Sequence, residues 1–152
     1  MAIDPIEKVL DFAIANEQQA ARFYTKLAEQ SKRPPMQQVF LDFADEERRH
    51  EKFLQEMRAG KKMLPEAEQV QTLGIADNLR MDVVDISGEM DYQQALILAM
   101  KSEKAAYRLY QKLAEACHDP GVKELFIRLA QEEARHKLRF EIEYDDAYLQ
   151  ED

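Results

Sequence analysis

The sequence predicts an all-α protein, a four-helix bundle made of two antiparallel hairpins joined by one long crossover. Three observations lead there. Apolar residues recur at intervals of three and four through four long segments. Gly and Pro, which interrupt helices, number only 4 and 5 in 152 residues and fall mostly between or at the edges of those segments. The first half of the chain also repeats in the second without a gap, Glu17 matching Glu103 and His50 matching His136.

The first helix starts at Pro5, a residue suited to a first helical turn, with Asp4 before it as the cap. Ile6, Val9, Leu10, Ala13, Ile14, Ala20, Phe23, Tyr24 and Leu27 form its apolar stripe, which stops near Lys32-Arg33-Pro34-Pro35. The second helix covers about 36–59, with Val39, Phe40, Phe43, Ala44, Phe53, Leu54 and Met57 on one side and Gly60 closing its end. Residues 60–91 lose the period and hold Gly60, Pro65, Gly74 and Gly88; they are read as the crossover, with short helical turns around 75–79. The third helix covers about 92–117. Asp119-Pro120 stops it and opens the fourth, which reaches about 144.

The hairpins are thus about 5–59 and 92–144, within one domain over 1–152. A crossover of roughly 30 residues, at about 3.3 Å each, easily runs the length of a roughly 40 Å helix.

Composition narrows the function. The net charge of -9 disfavours nucleic acid, whose phosphates need a basic face, and suits a protein that attracts cations. No apolar run reaches the roughly 18 residues of a membrane helix. The first ten residues lack the basic-then-apolar pattern of a signal peptide, and Cys117 is the only cysteine, so a reducing cytoplasm is the expected location.

The repeat carries the chemistry. Lys26-Leu27-Ala28-Glu29 matches Lys112-Leu113-Ala114-Glu115, Tyr24 matches Tyr110, Glu46-Glu47 matches Glu132-Glu133, and Arg49-His50 matches Arg135-His136. Two amphipathic hairpins would share Leu, Ala and Lys by default; Glu, Tyr and His recurring in register calls for two halves about an approximate two-fold axis. Glu47 and His50 lie three apart, on one helix face, as do Glu133 and His136. Glu17 and Glu103 interrupt the apolar stripes of the first and third helices. Counted from the turn, Glu17 lies about 16 residues before it and Glu47 about 13 after, a mismatch of about 5 Å at about 1.5 Å per residue.

All six groups therefore reach the middle of the bundle, where four carboxylates together would be prohibitive without a compensating charge. Two divalent cations supply it. Four carboxylates with two imidazoles suit iron or manganese better than zinc or magnesium. One Glu from each of two helices plus Glu-x-x-His from each of the other two is the di-iron arrangement of ferritin-like bundles.

A further Glu-x-x-His, Glu115-Ala116-Cys117-His118, has Glu29 and Lys32 as its repeat mates and reads as a surface feature at a helix end. Tyr24 and Tyr110 either hydrogen-bond a ligand carboxylate or pack in the core. Arg49 and Arg135 read as surface or outer ion partners, Cys117 as a lone thiol, and Met36, Met57, Met63, Met81, Met90 and Met100 as packing or loop residues.

On Glu17 with Tyr24, Glu46-Glu47-Arg48-Arg49-His50, Glu103 with Tyr110 and Glu132-Glu133-Ala134-Arg135-His136, the chain resembles the rubrerythrin family of the ferritin-like superfamily over nearly its whole length. The resemblance implies that Glu47 and Glu133 bridge two irons, that Glu17 and His50 complete one and that Glu103 and His136 complete the other. It implies a peroxidase that reduces hydrogen peroxide in oxidative-stress protection, with dioxygen as the other oxidant, and a homodimer or larger assembly. Two departures stand out. Family members typically carry a four-cysteine rubredoxin-like domain, for which one cysteine is too few, so an external donor such as a rubredoxin is expected. They also carry a helix-3 carboxylate where this chain has Ala106, leaving the site with fewer ligands to exchange. Two other functions fit the same ligands: iron handling by a ferroxidase or storage protein without peroxidase turnover, and a non-catalytic bundle stabilised by its metal.

Overall fold

The computed structural model describes residues 5–60, 64–65, 67–77, 79, 84–86 and 90–149. Helix α1 runs Pro5–Gln30 and α2 Pro34–Arg58, and the two pack along their length as one hairpin. After a short α3, Ala67–Thr72, helices α4, Tyr92–Glu115, and α5, Pro120–Tyr144, form the second hairpin. A π-helical turn, Asp145–Leu149, follows. The architecture is the all-α, ferritin-like four-helix bundle, with its two hairpins joined by the long crossover. Among the described residues no helix is long and apolar enough to cross a membrane.

Local chemistry sets the helix ends. The Asp91 side chain accepts from Gln94 N at 2.8 Å and Asp119 from Val122 N at 3.0 Å, so each caps orphan donors at a helix start. Pro34 and Pro120 sit where their missing N–H is no loss. Gly60, at φ +81°, turns the chain off α2 while its N–H bonds Met57 O at 3.1 Å. Helix α4 stops two residues before the expected 117, its end tightened by the bond from Cys117 N to Ala114 O at 3.1 Å. The expected cap Asp4, together with Met63, Met81 and Gly88, lies outside the described residues.

The crossover carries the expected short turns, residues 73–77 forming turns and residue 79 lying in a 3-10 turn, and a short helix not expected, α3 over 67–72, precedes them. Gly74, at φ +65°, ends α3, with Gly74 N on Gln71 O at 3.0 Å and Ile75 N on Val70 O at 3.1 Å. Val70 and Ile75 are the anchors that dock this piece on the bundle.

Two apolar clusters fill the interior. One takes Val9, Leu10, Leu54, Met57, Tyr110, Leu113 and Phe126 at one end; the other takes Tyr24, Leu27, Met36, Phe40, Leu96 and Phe140 at the opposite end. In every long helix the residues of the two clusters are separated by the same short stretch. Those stretches hold Glu17, Glu47, His50, Glu103, Glu133 and His136, all buried. The bundle is thus greasy at both ends and polar in a middle layer. Beyond the second cluster, buried Glu143 accepts from Arg33 and from Tyr92 OH at 3.1 Å, tying the α1–α2 turn to the start of α4 and the end of α5.

Candidate metal centre

The structure brings all six predicted residues together. Within the layer, ligand atoms fall into two overlapping groups, Glu17–Glu47–His50–Glu133 and Glu47–Glu103–Glu133–His136, the atoms of each lying within 4.8 Å of one another. Glu47 and Glu133 belong to both. The decoy His118 is exposed and belongs to neither.

The layer makes no sense as a closed hydrogen-bond network. Six buried atoms, one from each residue, have no hydrogen-bond partner: Glu17 Oε2, Glu47 Oε1, His50 Nδ1, Glu103 Oε2, Glu133 Oε1 and His136 Nδ1. His50 Nδ1 comes to 2.8 Å from Glu133 Oε1, and His136 Nδ1 to 2.9 Å from Glu47 Oε1, yet neither contact has hydrogen-bond alignment. Orphaned buried polar atoms are strongly disfavoured. Six of them, gathered at one depth, are what two divalent cations would satisfy once the ligands have given up their protons. The donor set fits the group.

The outer contacts cross between the hairpins. Tyr24 OH donates to Glu103, and Tyr110 OH donates to Glu17, so of the two alternatives for these tyrosines both hold: they pack in the apolar clusters and they bond a site carboxylate. His50 donates through Nε2 to Glu132, and His136 through Nε2 to Glu46. Each imidazole is thereby turned so that Nδ1 faces the interior. Phe43 stacks on His136 with ring centroids 3.9 Å apart. Arg135 bonds both oxygens of Glu46 at 3.0 Å, while Arg49 reaches Glu46 at 3.8 Å. Both arginines thus attend Glu46, and the repeat is not strictly symmetric. Sequence reasoning assigned no role to Glu46 and Glu132. Their signal was in the sequence, since each stands next to a predicted ligand and recurs in register.

Burial and charge set the protons. Burial, reinforced by neighbouring carboxylates, pushes Glu47 and Glu133 well above the usual carboxyl range. Burial also pushes Glu17 up, but contacts with Glu47, His50 and Tyr110 outweigh it and hold Glu17 low. Burial alone would lower the histidines; the carboxylates facing them raise His50 to about 12 and His136 to about 10. The hydrogen bond with His136 holds Glu46 down at about 2. Tyr24 and Tyr110 are pushed well above 10.0 by burial and nearby carboxylates, so both remain donors.

A prediction follows from these shifts. His50 and His136, raised to about 12 and about 10, carry protons at neutral pH, and Glu47 and Glu133 hold theirs to higher pH than ordinary carboxyls, whereas metal ligands must give their protons up. Uptake of two divalent ions should therefore release protons, and affinity should rise with pH. A pH indicator in weakly buffered solution reads this directly; release below about one proton per chain contradicts it.

The rubrerythrin family model matches residues 8–144. The chain belongs to the rubrerythrin family. No curated protein and no solved structure gives a significant match. The matched span covers both hairpins and every residue of the polar layer of this rubrerythrin-family protein.

Proposed function

We propose that this rubrerythrin-family protein is a di-iron carboxylate redox protein that oxidises Fe(II) at the buried layer with hydrogen peroxide or dioxygen, and is re-reduced by an external donor protein such as a rubredoxin. The observation that carries this reading is the set of six orphaned ligand atoms in two groups sharing Glu47 and Glu133. Those two carboxylates would bridge the ions; Glu17 and His50 would complete one, Glu103 and His136 the other. Four carboxylates neutralise two divalent charges, and oxygen with imidazole donors suits iron, with manganese or a mixed pair next. When bound, an iron pair supplies two electrons, which with two protons convert one hydrogen peroxide into two waters.

The protein's own groups hold the arrangement. Tyr24 and Tyr110 keep their protons and fix Glu103 and Glu17. Glu132 and Glu46 hold the imidazoles. The two apolar clusters keep bulk water from either end of the layer.

Stopped-flow mixing of the Fe(II)-loaded protein with hydrogen peroxide tests the reading. Oxidation is expected to outrun that of free Fe(II) at equal concentration; a rate no faster removes the redox function. A chelator distinguishes a purely structural metal, since free metal at about 1,000 times Kd stabilises by about 4 kcal/mol, roughly 8–16 °C in Tm for a chain this size. That shift without accelerated oxidation would identify a metal-stabilised bundle.

A further inference from the structure

The internal repeat breaks on the outer faces of the two hairpins. On the α1–α2 face the seam between the helices is closed. Gln18 donates across it to Glu51 at 2.9 Å, Gln55 donates to the same oxygen at 2.9 Å, and Arg48 reaches over to Thr25 at 3.4 Å. On the α4–α5 face the mates of Gln18, Glu51, Gln55 and Arg48 are Lys104, Lys137, Glu141 and Ala134. Lys104 and Lys137 carry like charges, so they cannot bond as Gln18 and Glu51 do. Lys137 pairs instead along its own helix with Glu141. Ala134 is too short to reach over. An open groove of about 450 Å³ results, lined by these four residues with Tyr107, Arg108 and Leu138.

The groove is basic in an acidic protein. Helix α4 carries Lys101, Lys104, Arg108 and Lys112, and ahead of Glu115 its one acid is the buried Glu103, in a chain of net charge -9. The groove also has an apolar part. Leu138 is 56% exposed, and Tyr107 is half-buried with its OH accepting from Gln111 at 2.7 Å. Their repeat mates are Lys52 and Ala21, so this pairing of a large apolar side chain and an aromatic ring belongs to one face alone. Exposed apolar groups among cations mark a face that meets another protein. A lone small anion would find only solvent-screened charges at Lys104 and Arg108, both exposed, whereas a surface of carboxylates engages several cations at once. A second copy of the chain, docked about a two-fold axis, would set these cations against themselves.

We infer that this groove is the docking face for an acidic electron-donor protein. The inference rests on the redox reading above, which requires such a donor. The groove lies just outside the polar layer, since Lys104 follows Glu103, Ala134 follows Glu133 and Lys137 follows His136 in the chain. A donor seated there is separated from the Glu103 and His136 side of the layer by about one helix, roughly 10 Å across with its side chains. A donor of the rubredoxin kind gives up one electron at a time, so two encounters replace the two electrons that one hydrogen peroxide removes. Such encounters are brief, which suits a small charged face burying less than about 1,200 Å².

The probe is a rubredoxin of net negative charge, titrated calorimetrically into the iron-loaded protein at low and at high salt. Binding should weaken as salt rises. Lys104→Glu combined with Arg108→Glu is expected to weaken it at low salt by at least about tenfold, or about 1.4 kcal/mol. Arg22→Glu combined with Lys26→Glu makes the same change in net charge at exposed positions on the α1–α2 face, and should stay within about twofold of the parent. Electron loss from reduced rubredoxin to the oxidised iron-loaded protein should slow by a similar factor in the first variant and not in the second. Equal losses in both variants, no loss in the first, or a parent that does not bind the probe overturns the docking face. So does a first variant whose only change is in its own oligomeric state, which would make the groove an interface between copies. The peroxide test described above uses no donor, so a failure of the redox reading shows there, in the unaltered protein, whatever the titration gives.

Discussion

Replacing Glu47 and Glu133 together by leucine should abolish metal binding and, at the same time, stabilise the metal-free protein. Both side chains are buried, belong to both ligand groups, and present an orphaned oxygen to the layer. Their loss leaves neither metal position with more than two of its four ligands. In the metal-free chain the same carboxyls are a burden, since burial among like charges pushes both well above their ordinary range. Leucine has similar volume and no polar atom, so it removes the desolvation cost and mutual repulsion of these carboxyls, while Glu17 and Glu132 stay beside His50 and Glu103 and Glu46 stay beside His136. Metal analysis should find less than about one-tenth of an ion per chain if all binding needs the shared pair. Thermal melting without metal should move up, by roughly 2–4 °C for each kcal/mol. A double variant that still carries two ions, or whose metal-free form melts lower than the parent, contradicts this account of the layer.

Removing the outer carboxylates should weaken the site without changing its stoichiometry. Glu46→Ala and Glu132→Ala each take away the acceptor that turns an imidazole, a change worth about 10–100-fold in metal affinity, or about 1.4–2.8 kcal/mol. The Glu46 variant should sit at the larger end. Its side chain is only 16% exposed and is held by Arg135, whereas Glu132 is 42% exposed, where solvent screens its bond to His50. Competition against a chromophoric chelator measures both, and equal, unaltered affinities would mean the imidazoles are positioned by packing alone.

Glu46 also predicts an acid limb. Its folded value, about 2, lies below the ordinary 4.5 of a free glutamate, so its contribution is present above pH 4.5 and lost as pH falls toward 2. Over that window the metal-free parent should lose stability more steeply than the Glu46→Ala variant.

Much of this was legible from the residues. Glu17 and Glu103 stand inside apolar stripes, where only a compensated carboxylate belongs, and the unbroken repeat pairs them. The period of three and four carried the long helices because their buried faces are long enough to average over exceptions. The crossover was less readable. Helix α3 has six residues, too few for a period, and its place depends on where Val70 and Ile75 find room on the bundle. Glu46 and Glu132 were passed over for another reason. Each lies one position from a predicted ligand, about 100° round the helix, where a carboxylate reads as a solvated surface residue. Their partners sit on the other hairpin, and only tertiary structure supplies that contact.

The crossed contacts bear on how such a protein can be divided. Tyr24, Tyr110, Glu46 and Glu132 each serve a residue of the opposite hairpin. Neither hairpin by itself has its own imidazole braced or its own terminal glutamate steered, so each depends on the other for those contacts. A polypeptide of half this length, joined to a twin of itself about a two-fold axis, would nonetheless furnish every one of those cross-braces. The fused chain reproduces that twinning within one molecule, and the linker that fuses it also lays Val84 and Ile86 over one side.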